Sequence, residues 1–534
     1  MIGQPSFNGL EKKLLGFGLL ALVFAYFYNL GIYPLFQEEP RRGIIALEMM
    51  MQDNFWVPTQ TGDLYYRKPP VYNWLLIVGY KIFGTNELGT RFFSVLSHLI
   101  LGGLCYVFVK KPLGSFVAAM TALSFLLVGD ILVSASTLGE IDLFYSLVTT
   151  SSIFLIYRYG EKKEYLKLFL VVYALTAIGF LTKGLSALPF TAISLLVYFI
   201  LNRNFKQLLR WQHFAGIGLF VLMAGGYFYA YSLYEDPTGW MNTLFSESAD
   251  KATGGGFWAF AKHVLEFPIK TWQNILPAGL FIVLLFQKGM MKKLRANPFV
   301  WYCTLIFFFN YLVYLFSIEG KSRYIYPIMP FVLVTLVYMA TLNQKQVWNK
   351  FMKVLAWVCL ALLTLGTPVV FFLEDLQVVD NLAINIALIL LSVAGLWVGL
   401  VKKQVRPVLI IYFMMILLKF GFSAIVPVTR QKATGAAEDK ALAAEMVQIT
   451  GDQPIYRYKD LRMSLTIVFY VERDKHAILA SKDRVEPGYY ICYEEDFKDF
   501  PGAEILHEFT YFGSIPMYFI KYRNPEQWDV SAEE

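Results

Sequence analysis

Five short groups of charged side chains interrupt an otherwise apolar sequence. They are Glu38-Glu39-Pro40-Arg41, Arg67-Lys68-Pro69-Pro70, Glu140-Ile141-Asp142, Thr182-Lys183-Gly184 and Lys321-Ser322-Arg323-Tyr324. Ionisable groups at membrane depth or at its edge are costly, so each group is a functional hypothesis. A carboxylate can accept a proton from a hydroxyl group, and cations can stabilise a phosphate leaving group. These residue types therefore suit group transfer from a lipid-linked phosphate to a hydroxyl acceptor.

The charges divide naturally between a proton acceptor and a phosphate pocket. The candidate catalytic carboxylates are Glu38, Glu39 and Asp142. Arg41 can bind two phosphate oxygens at once, because its guanidinium group is a planar fork of donors. The remaining cations, which add positive charge to the pocket, are Lys68, Lys183 and Arg323.

Several of these charges also have a purely structural explanation. Glu39 can cap the helix expected to begin at Pro40. Lys183 can extend from a helix end toward the membrane surface, and Lys321 with Arg323 can form a solvated turn. These alternatives stay open at the level of the sequence.

Asp142 is harder to explain structurally, because a carboxylate that opens an apolar span has no evident partner nearby in sequence. Glu140 precedes it by two residues. On one helix the two side chains would point about 200° apart, so the spacing predicts that they do not face the same site.

The elements that must position these residues are membrane helices. The 534-residue chain is 57% hydrophobic and only 16% charged, a composition that excludes an ordinary soluble protein. A span needs about 20 apolar residues to cross about 30 Å of hydrocarbon. About thirteen such spans are predicted, near 14–35, 91–109, 113–133, 141–157, 166–182, 185–201, 213–233, 274–286, 298–317, 324–341, 353–373, 382–401 and 406–426.

Basic residues cluster in alternate connections between the predicted spans, which indicates their cytoplasmic side. The clusters include Lys12-Lys13, Lys110-Lys111, Lys292-Lys293 and Lys402-Lys403. The sequence therefore predicts a multi-pass protein of the bacterial inner membrane, with a cytoplasmic N-terminus and a periplasmic C-terminus. All five charged groups then lie on the outer face. Because this topology accounts for the net charge of +7, no nucleic-acid partner is needed to explain it.

Two long external loops are predicted, at about 36–90 and 234–273, within a membrane domain covering 1–426. The first should carry an amphipathic helix at the membrane surface, beginning at Pro40. The second contains Gly254-Gly255-Gly256, a run typical of a mobile loop. Residues 427–534 alternate helical and strand patterns, which predicts a small α/β domain.

Other chemistries find little support in the sequence. The five histidines are scattered, and no histidine or cysteine spacing typical of a metal site occurs. Gly320-Lys321-Ser322 is similar to the end of a nucleotide-binding phosphate loop, but Leu315 occupies the place of the first required glycine. The sequence thus requires no cofactor, and it leaves a divalent metal possible without calling for one.

The ordered motifs resemble those of membrane glycosyltransferases of the GT-C fold, in the superfamily of lipid A aminoarabinose transferases and protein O-mannosyltransferases. The resemblance covers most of the membrane region. The motifs that carry it are Glu38-Glu39-Pro40-Arg41, Trp56-Val57-Pro58, Tyr66-Arg67-Lys68-Pro69 with Trp74, Asp142, Leu181-Thr182-Lys183-Gly184, and Arg323-Tyr324 with Pro327.

This resemblance implies roles for particular positions. Glu38 stands where the family usually has a catalytic aspartate. Arg41, Lys68 and Lys183 match residues expected to hold the polyprenyl phosphate. Further members of the expected donor site are Arg323 and Tyr324. At Arg67 the aminoarabinose transferase pattern has an acidic residue proposed to bind metal, so a metal is not expected there.

The sequence thus predicts an inverting enzyme that moves a sugar from an undecaprenyl-phosphate donor to an acceptor at the outer face of the inner membrane. A glycolipid such as lipid A is the first acceptor candidate, and a protein hydroxyl is the alternative. A flippase for lipid-linked sugars is the alternative from another class. Transporters typically carry paired half-repeats with broken helices at the midplane, and none is evident in this sequence.

Overall fold

The structure is a computed structural model that describes residues 6–243, 246, 256–318, 320–343, 345–511 and 513–523. The chain is predominantly helical. Its α-helices are α1 Gly9–Phe27, α2 Glu39–Met51, α3 Val71–Phe83, α4 Glu87–Leu126, α5 Gly129–Val133, α6 Ile141–Glu161, α7 Tyr165–Lys183, α8 Ala187–Leu201, α9 Trp211–Ser232, α10 Phe257–Asn274, α11 Met290–Arg295, α12 Pro298–Leu315, α13 Met329–Leu342, α14 Gln346–Val369, α15 Leu382–Val401, α16 Pro407–Thr434, α17 Ala436–Thr450 and α18 Leu465–Lys475.

Eight helical segments within the described residues are long and apolar enough to cross a membrane. Two of them contain a backbone break that lies within two residues of a predicted connection between spans. The segment Glu87–Leu126 is interrupted at Gly114, whose φ of 83° ends one helix. The segment Tyr165–Leu201 is interrupted at Gly184, whose φ is 72°. A polytopic helical architecture is therefore confirmed, while the number thirteen stays a prediction.

The predicted span near 274–286 differs from an α-helix. Residues Ala278–Phe286 form a 3₁₀ helix of 9 residues. At about 2.0 Å of rise per residue, such a segment is shorter than the hydrocarbon thickness. Periodicity alone could not show this, because a short apolar run has the same composition in either helix type.

The chain divides into two compact units. The helical unit comprises Met1–Leu30, Arg67–Tyr72 and Arg91–Val428, and the mixed unit comprises Gly31–Tyr66, Asn73–Thr90 and Thr429–Glu534. The sequence assigned the first external loop to the membrane domain. By its contacts, most of that loop instead groups with the C-terminal segment.

The mixed unit contains a five-stranded sheet with the order β4-β3-β5-β7-β6. A separate pair of short strands, Thr59–Gln60 and Asp63–Leu64, makes β1 and β2. The strands of the sheet are β3 Ile455–Tyr458, β4 Ser481–Lys482, β5 Gly488–Tyr493, β6 Glu504–Tyr511 and β7 Ile515–Tyr522. The small α/β domain is therefore confirmed. Strand β6 was missed by the sequence analysis; it lies at one edge of the sheet and pairs antiparallel with β7.

Helix α2 begins near Pro40 as predicted, but it does not lie on a surface. Residues 42–49 are all buried, including the charged side chains of Arg42 and Glu48. Gly43 packs so closely on Phe469 of α18 that a Cβ atom there would approach the ring to 2.7 Å. Helix α2 is therefore buried against other parts of the protein. Its polar side chains can be buried as well, because they find hydrogen-bonding partners there.

Two acidic side chains are buried beside each other in the mixed unit. Glu48 accepts hydrogen bonds from the Thr59 hydroxyl group at 2.6 Å and from the Gly62 backbone at 3.2 Å. Glu472 accepts one from the backbone N–H of Leu479 at 3.1 Å. Burial raises the pKa of Glu48, and burial together with the Glu48 charge raises the pKa of Glu472 well above its usual value. Burial therefore favours the protonated forms of these two acids.

Candidate active site

Asp142 and Lys183 form a buried ion pair in the helical unit. Asp142 lies in the first turn of α6, and Lys183 is the last residue of α7. Their side chains are 6% and 11% exposed, and the ammonium group donates directly to the carboxylate. The positions fit the helix dipoles, because a carboxylate is stabilised at a helix N-terminus and a cation at a C-terminus. Asp142 thus has a partner that local sequence could not reveal.

Arg323 joins this pair to a second carboxylate. Its guanidinium group donates to Glu140, and its Nε atom lies 3.8 Å from an Asp142 oxygen. The prediction that Glu140 and Asp142 cannot face one site is therefore wrong. Glu140 is the N-cap residue of α6 with extended backbone angles, φ −102° and ψ 157°, so helical spacing does not apply to it.

Two tyrosine rings flank the ammonium group of Lys183. The Nζ atom lies 4.7 Å from the ring centroid of Tyr324 and 5.1 Å from that of Tyr145. Aromatic faces attract a cation through the ring quadrupole, so the two rings restrict where this ammonium group can point. The structure thus brings Asp142, Lys183, Arg323 and Tyr324 together, and it adds Glu140 and Tyr145.

The segment that carries Arg323 and Tyr324 is held against α6. It is a 3₁₀ helix, Ser322–Ile328, whose Pro327 carbonyl accepts a hydrogen bond from the Thr150 hydroxyl group at 2.7 Å. Tyr326 donates its hydroxyl to the Asp130 carboxylate at 2.5 Å. These bonds fix the segment at two points, which limits the movement of Arg323 relative to Asp142.

Lys419 is a buried cation that the sequence analysis did not single out. It belongs to α16, and its Nζ atom donates to the Leu132 carbonyl at 2.9 Å and to the Ser136 hydroxyl at 3.0 Å. Residues 132–136 precede Glu140 directly. A lysine inside the predicted span 406–426 was the available signal, since charge at membrane depth is costly.

The first acidic motif has a more local arrangement in the mixed unit. Glu38 caps α2 without a side-chain capping bond, and its Oε2 atom lies 2.5 Å from Nη1 of Arg41. Glu39 is fully buried and accepts a hydrogen bond from the Phe36 backbone at 3.3 Å. Glu39 thus stabilises the turn before the helix, which is a structural role. Glu38 and Arg41 remain partly exposed and available to a ligand.

Lys68 lies in the helical unit and donates to the Arg67 carbonyl at 2.9 Å. Among the described residues, no group of three histidine, cysteine, aspartate or glutamate side chains is arranged to hold a metal ion. Arg67 is itself a cation, and a cation in place of an acidic ligand disfavours metal binding.

Sequence comparisons show similarity between this chain and several transferases. A family model described as dolichyl-phosphate-mannose-protein mannosyltransferase matches residues 67–227. The undecaprenyl phosphate-alpha-4-amino-4-deoxy-L-arabinose arabinosyl transferase of Yersinia enterocolitica is 28% identical over 59% of this chain and 57% of its own length. An uncharacterised protein of Aquifex aeolicus is 26% identical over 66% of this chain and 69% of its own length. The matched region thus spans somewhat more than half of that arabinosyl transferase.

The structural match is more extensive than the sequence match. The crystal structure of ArnT from Cupriavidus metallidurans bound to undecaprenyl phosphate superposes with a TM-score of 0.69, covering 95% of this chain and 97% of that chain at 19% identity. The apo structure of the same protein gives 0.70. This chain has the GT-C fold. The resemblance to aminoarabinose and mannosyl transferases predicted from the motifs is confirmed.

Proposed function

We propose that this GT-C protein transfers a sugar from a polyprenyl phosphate, undecaprenyl phosphate in the bacterial case, to a lipid acceptor at the outer face of the inner membrane. The observation that carries the proposal is the group in which the buried carboxylates Asp142 and Glu140 are paired with Lys183 and Arg323. It combines proton acceptors with phosphate-binding cations on a rigid helical scaffold. The related arabinosyl transferase supports the same donor chemistry.

The proposed reaction is a single inverting displacement. The acceptor hydroxyl oxygen attacks the anomeric carbon of the donor, and the bond from that carbon to the phosphate oxygen breaks. The proton of the hydroxyl group passes to a carboxylate, for which Asp142 and Glu38 are the candidates. Polyprenyl phosphate departs with the bonding electrons, and the cations Lys183 and Arg323 stabilise its negative charge. Arg41 and Lys68 are further candidate phosphate ligands, and Tyr324 orients Lys183.

The ligand-free arrangement suggests how the donor engages the site. Lys183 and Arg323 are held by Asp142 and Glu140, so a phosphate group must compete with these carboxylates for the same donors. When the cations turn to phosphate, Asp142 loses its neutralising partners and becomes a better proton acceptor. Donor binding would thereby prepare the base. Glu140→Gln should tighten polyprenyl phosphate binding, because it removes one competitor for Arg323.

A protein hydroxyl is the second acceptor candidate, because the matching family model describes protein mannosyltransferases. To decide, purified protein is incubated with radiolabelled polyprenyl-phosphate sugars together with lipid A or with membrane proteins. We expect label in the lipid fraction. Label in protein would select the alternative acceptor. Without product in either fraction, while donor lipid moves between vesicle leaflets, the enzyme assignment would give way to a flippase.

Asp142→Asn serves as the matched control in this assay. The amide retains the shape of the side chain but cannot accept the proton, so if Asp142 is the base, product formation should fall by roughly 10²–10⁴-fold while donor binding persists. The orientation is tested separately with reporters fused after residue 427 and near Lys292. A periplasmic reporter should be active after 427 and inactive near Lys292.

A further inference from the structure

One end of the helical unit contains a cavity away from the candidate active site. Its volume is about 440 Å³. It lies where α13 ends and where α14 and α16 begin. Its walls include Phe281 of the 3₁₀ helix, Ala340 and Trp348. A cavity of this size can hold a substantial apolar portion of a small ligand.

Arg406 places a positive charge in the wall of this cavity. Its guanidinium carbon lies 4.7 Å from the ring centroid of Phe116, and its Nη2 atom donates to the Ser6 carbonyl. The Nη1 atom is buried and has no hydrogen-bonding partner among the described residues. A buried donor left unsatisfied is costly, so a ligand that accepts from it would be stabilised.

The charges around Arg406 define what that ligand can be. Glu11 is the carboxylate partner, with an oxygen 3.6 Å from Nε of Arg406. Lys402 and Lys403 lie four and three residues before Arg406 on the same connection and are exposed. The local surplus is positive, which favours an anionic head group. By the distribution of basic residues, this is the predicted cytoplasmic end of the bundle.

We propose that this cavity binds an anionic phospholipid of the cytoplasmic leaflet, with its phosphate on Nη1 of Arg406 and part of an acyl chain along Phe281, Ala340 and Trp348. Basic pockets between membrane helices are a known way of holding anionic lipid head groups. The 3₁₀ helix Ala278–Phe286 contributes Phe281 to the wall of this space. This lipid is a structural ligand, separate from the proposed donor.

The test uses the full chain in nanodiscs of neutral phosphatidylcholine, titrated with phosphatidylglycerol and followed by native mass spectrometry and thermal unfolding. We expect a saturable phosphatidylglycerol complex that raises the unfolding temperature. Arg406→Gln should weaken binding about tenfold or more, because a charge-assisted bond is lost. Lys403→Gln, which removes an equal charge from the same connection, should change binding by less than about twofold.

A second variant separates lipid binding from a folding defect. Ala340→Phe keeps Arg406 and fills the cavity, so it should also prevent phosphatidylglycerol binding while the protein elutes as a single species. Equal losses in Arg406→Gln and Lys403→Gln would indicate only surface attraction and overturn the proposal. The same follows if Ala340→Phe binds normally, or if inorganic phosphate stabilises the protein as well as phosphatidylglycerol does.

Discussion

Two carboxylate and cation groups that contain candidate site residues are built in different ways. In the helical unit, Asp142 is paired with Lys183, 41 residues away, and Glu140 with Arg323, 183 residues away. In the mixed unit, Glu38 is paired with Arg41 only three residues later. The Asp142 side chain is 6% exposed, whereas that of Glu38 is 39% exposed.

Because the two ion pairs differ in burial, the free energy needed to break them also differs. An exposed ion pair between residues three or four apart on a helix contributes only about 0.3–0.5 kcal/mol, so the Glu38 pair separates easily when a ligand approaches. Breaking a buried pair by removing one partner costs about 3–5 kcal/mol. The cluster around Asp142 is therefore a rigid, preorganised site, and the pair at Glu38 is an adaptable one.

The largest expected effect comes from removing the base. If Asp142 accepts the proton, Asp142→Asn should lower single-turnover product formation by roughly 10²–10⁴-fold, while donor-lipid binding persists. Glu38→Gln is the matched change in the exposed pair and should then have a much smaller effect. The reverse result would move the base to Glu38. Full activity in both variants would exclude a carboxylate base at either place.

Lys419 tests whether the rigid site depends on distant support. Lys419→Met keeps the length of the side chain but removes the donors to Leu132 and Ser136, so the segment before Glu140 should shift. A displacement of about 1 Å can cost about 10²-fold in rate. We expect kcat to fall by at least tenfold while KM for the donor changes little. A proportionate loss of folded protein with unchanged kcat would indicate a purely structural lysine.

Arginine replacements compare phosphate binding in the two groups. Arg41→Ala should lose most activity, and Arg41→Lys should recover part of it, because lysine restores charge without the bidentate geometry. Arg323→Lys should raise the donor KM by about tenfold, because a single ammonium group replaces the planar guanidinium fork that can bind two phosphate oxygens. Titration with polyprenyl phosphate measures the donor affinity of the Arg41 and Arg323 variants. Wild-type affinity in Arg41→Ala would remove Arg41 from the donor site.

The smallest expected effect concerns stability within the mixed unit. Glu48 and Glu472 have pKa values raised by burial, so the folded state binds more protons than the unfolded state above about pH 4.5. The free energy of unfolding should therefore fall as pH rises, until the pair has ionised.

Hydrogen exchange of the full chain measures this effect at the amides of Ile455–Tyr458 and Leu465–Lys475. After correction for the intrinsic exchange rate, protection should decrease as the pH rises above about 4.5 and through the raised pKa values of the pair. Glu472→Gln mimics the protonated acid and should flatten the dependence. An unchanged slope in this variant would assign the pH dependence to other groups.

The sequence by itself determined the helical class, most span positions and the small α/β domain, because hydrophobic periodicity and length are local properties. Of its candidate site residues, the structure brings together Asp142, Lys183, Arg323 and Tyr324, and the roles assigned to them stay predictions. Asp142 could be singled out because a charge in an apolar segment has a high energetic cost. This cost is evident from the sequence even when the ion-pair partner is unknown.

Only the tertiary structure decided which charges meet. Glu140 faces the site because it lies just before the first turn of α6, and a one-residue helix boundary is beyond what spacing rules resolve. Contacts between distant parts of the chain likewise determine three other features. These are the 3₁₀ helix at 278–286, the burial of α2 and the hydrogen bond from Lys419 to Leu132. The local sequence pattern determines whether a segment favours a helix or a strand. Packing between distant segments then determines which side chains meet and which conformation each segment finally adopts.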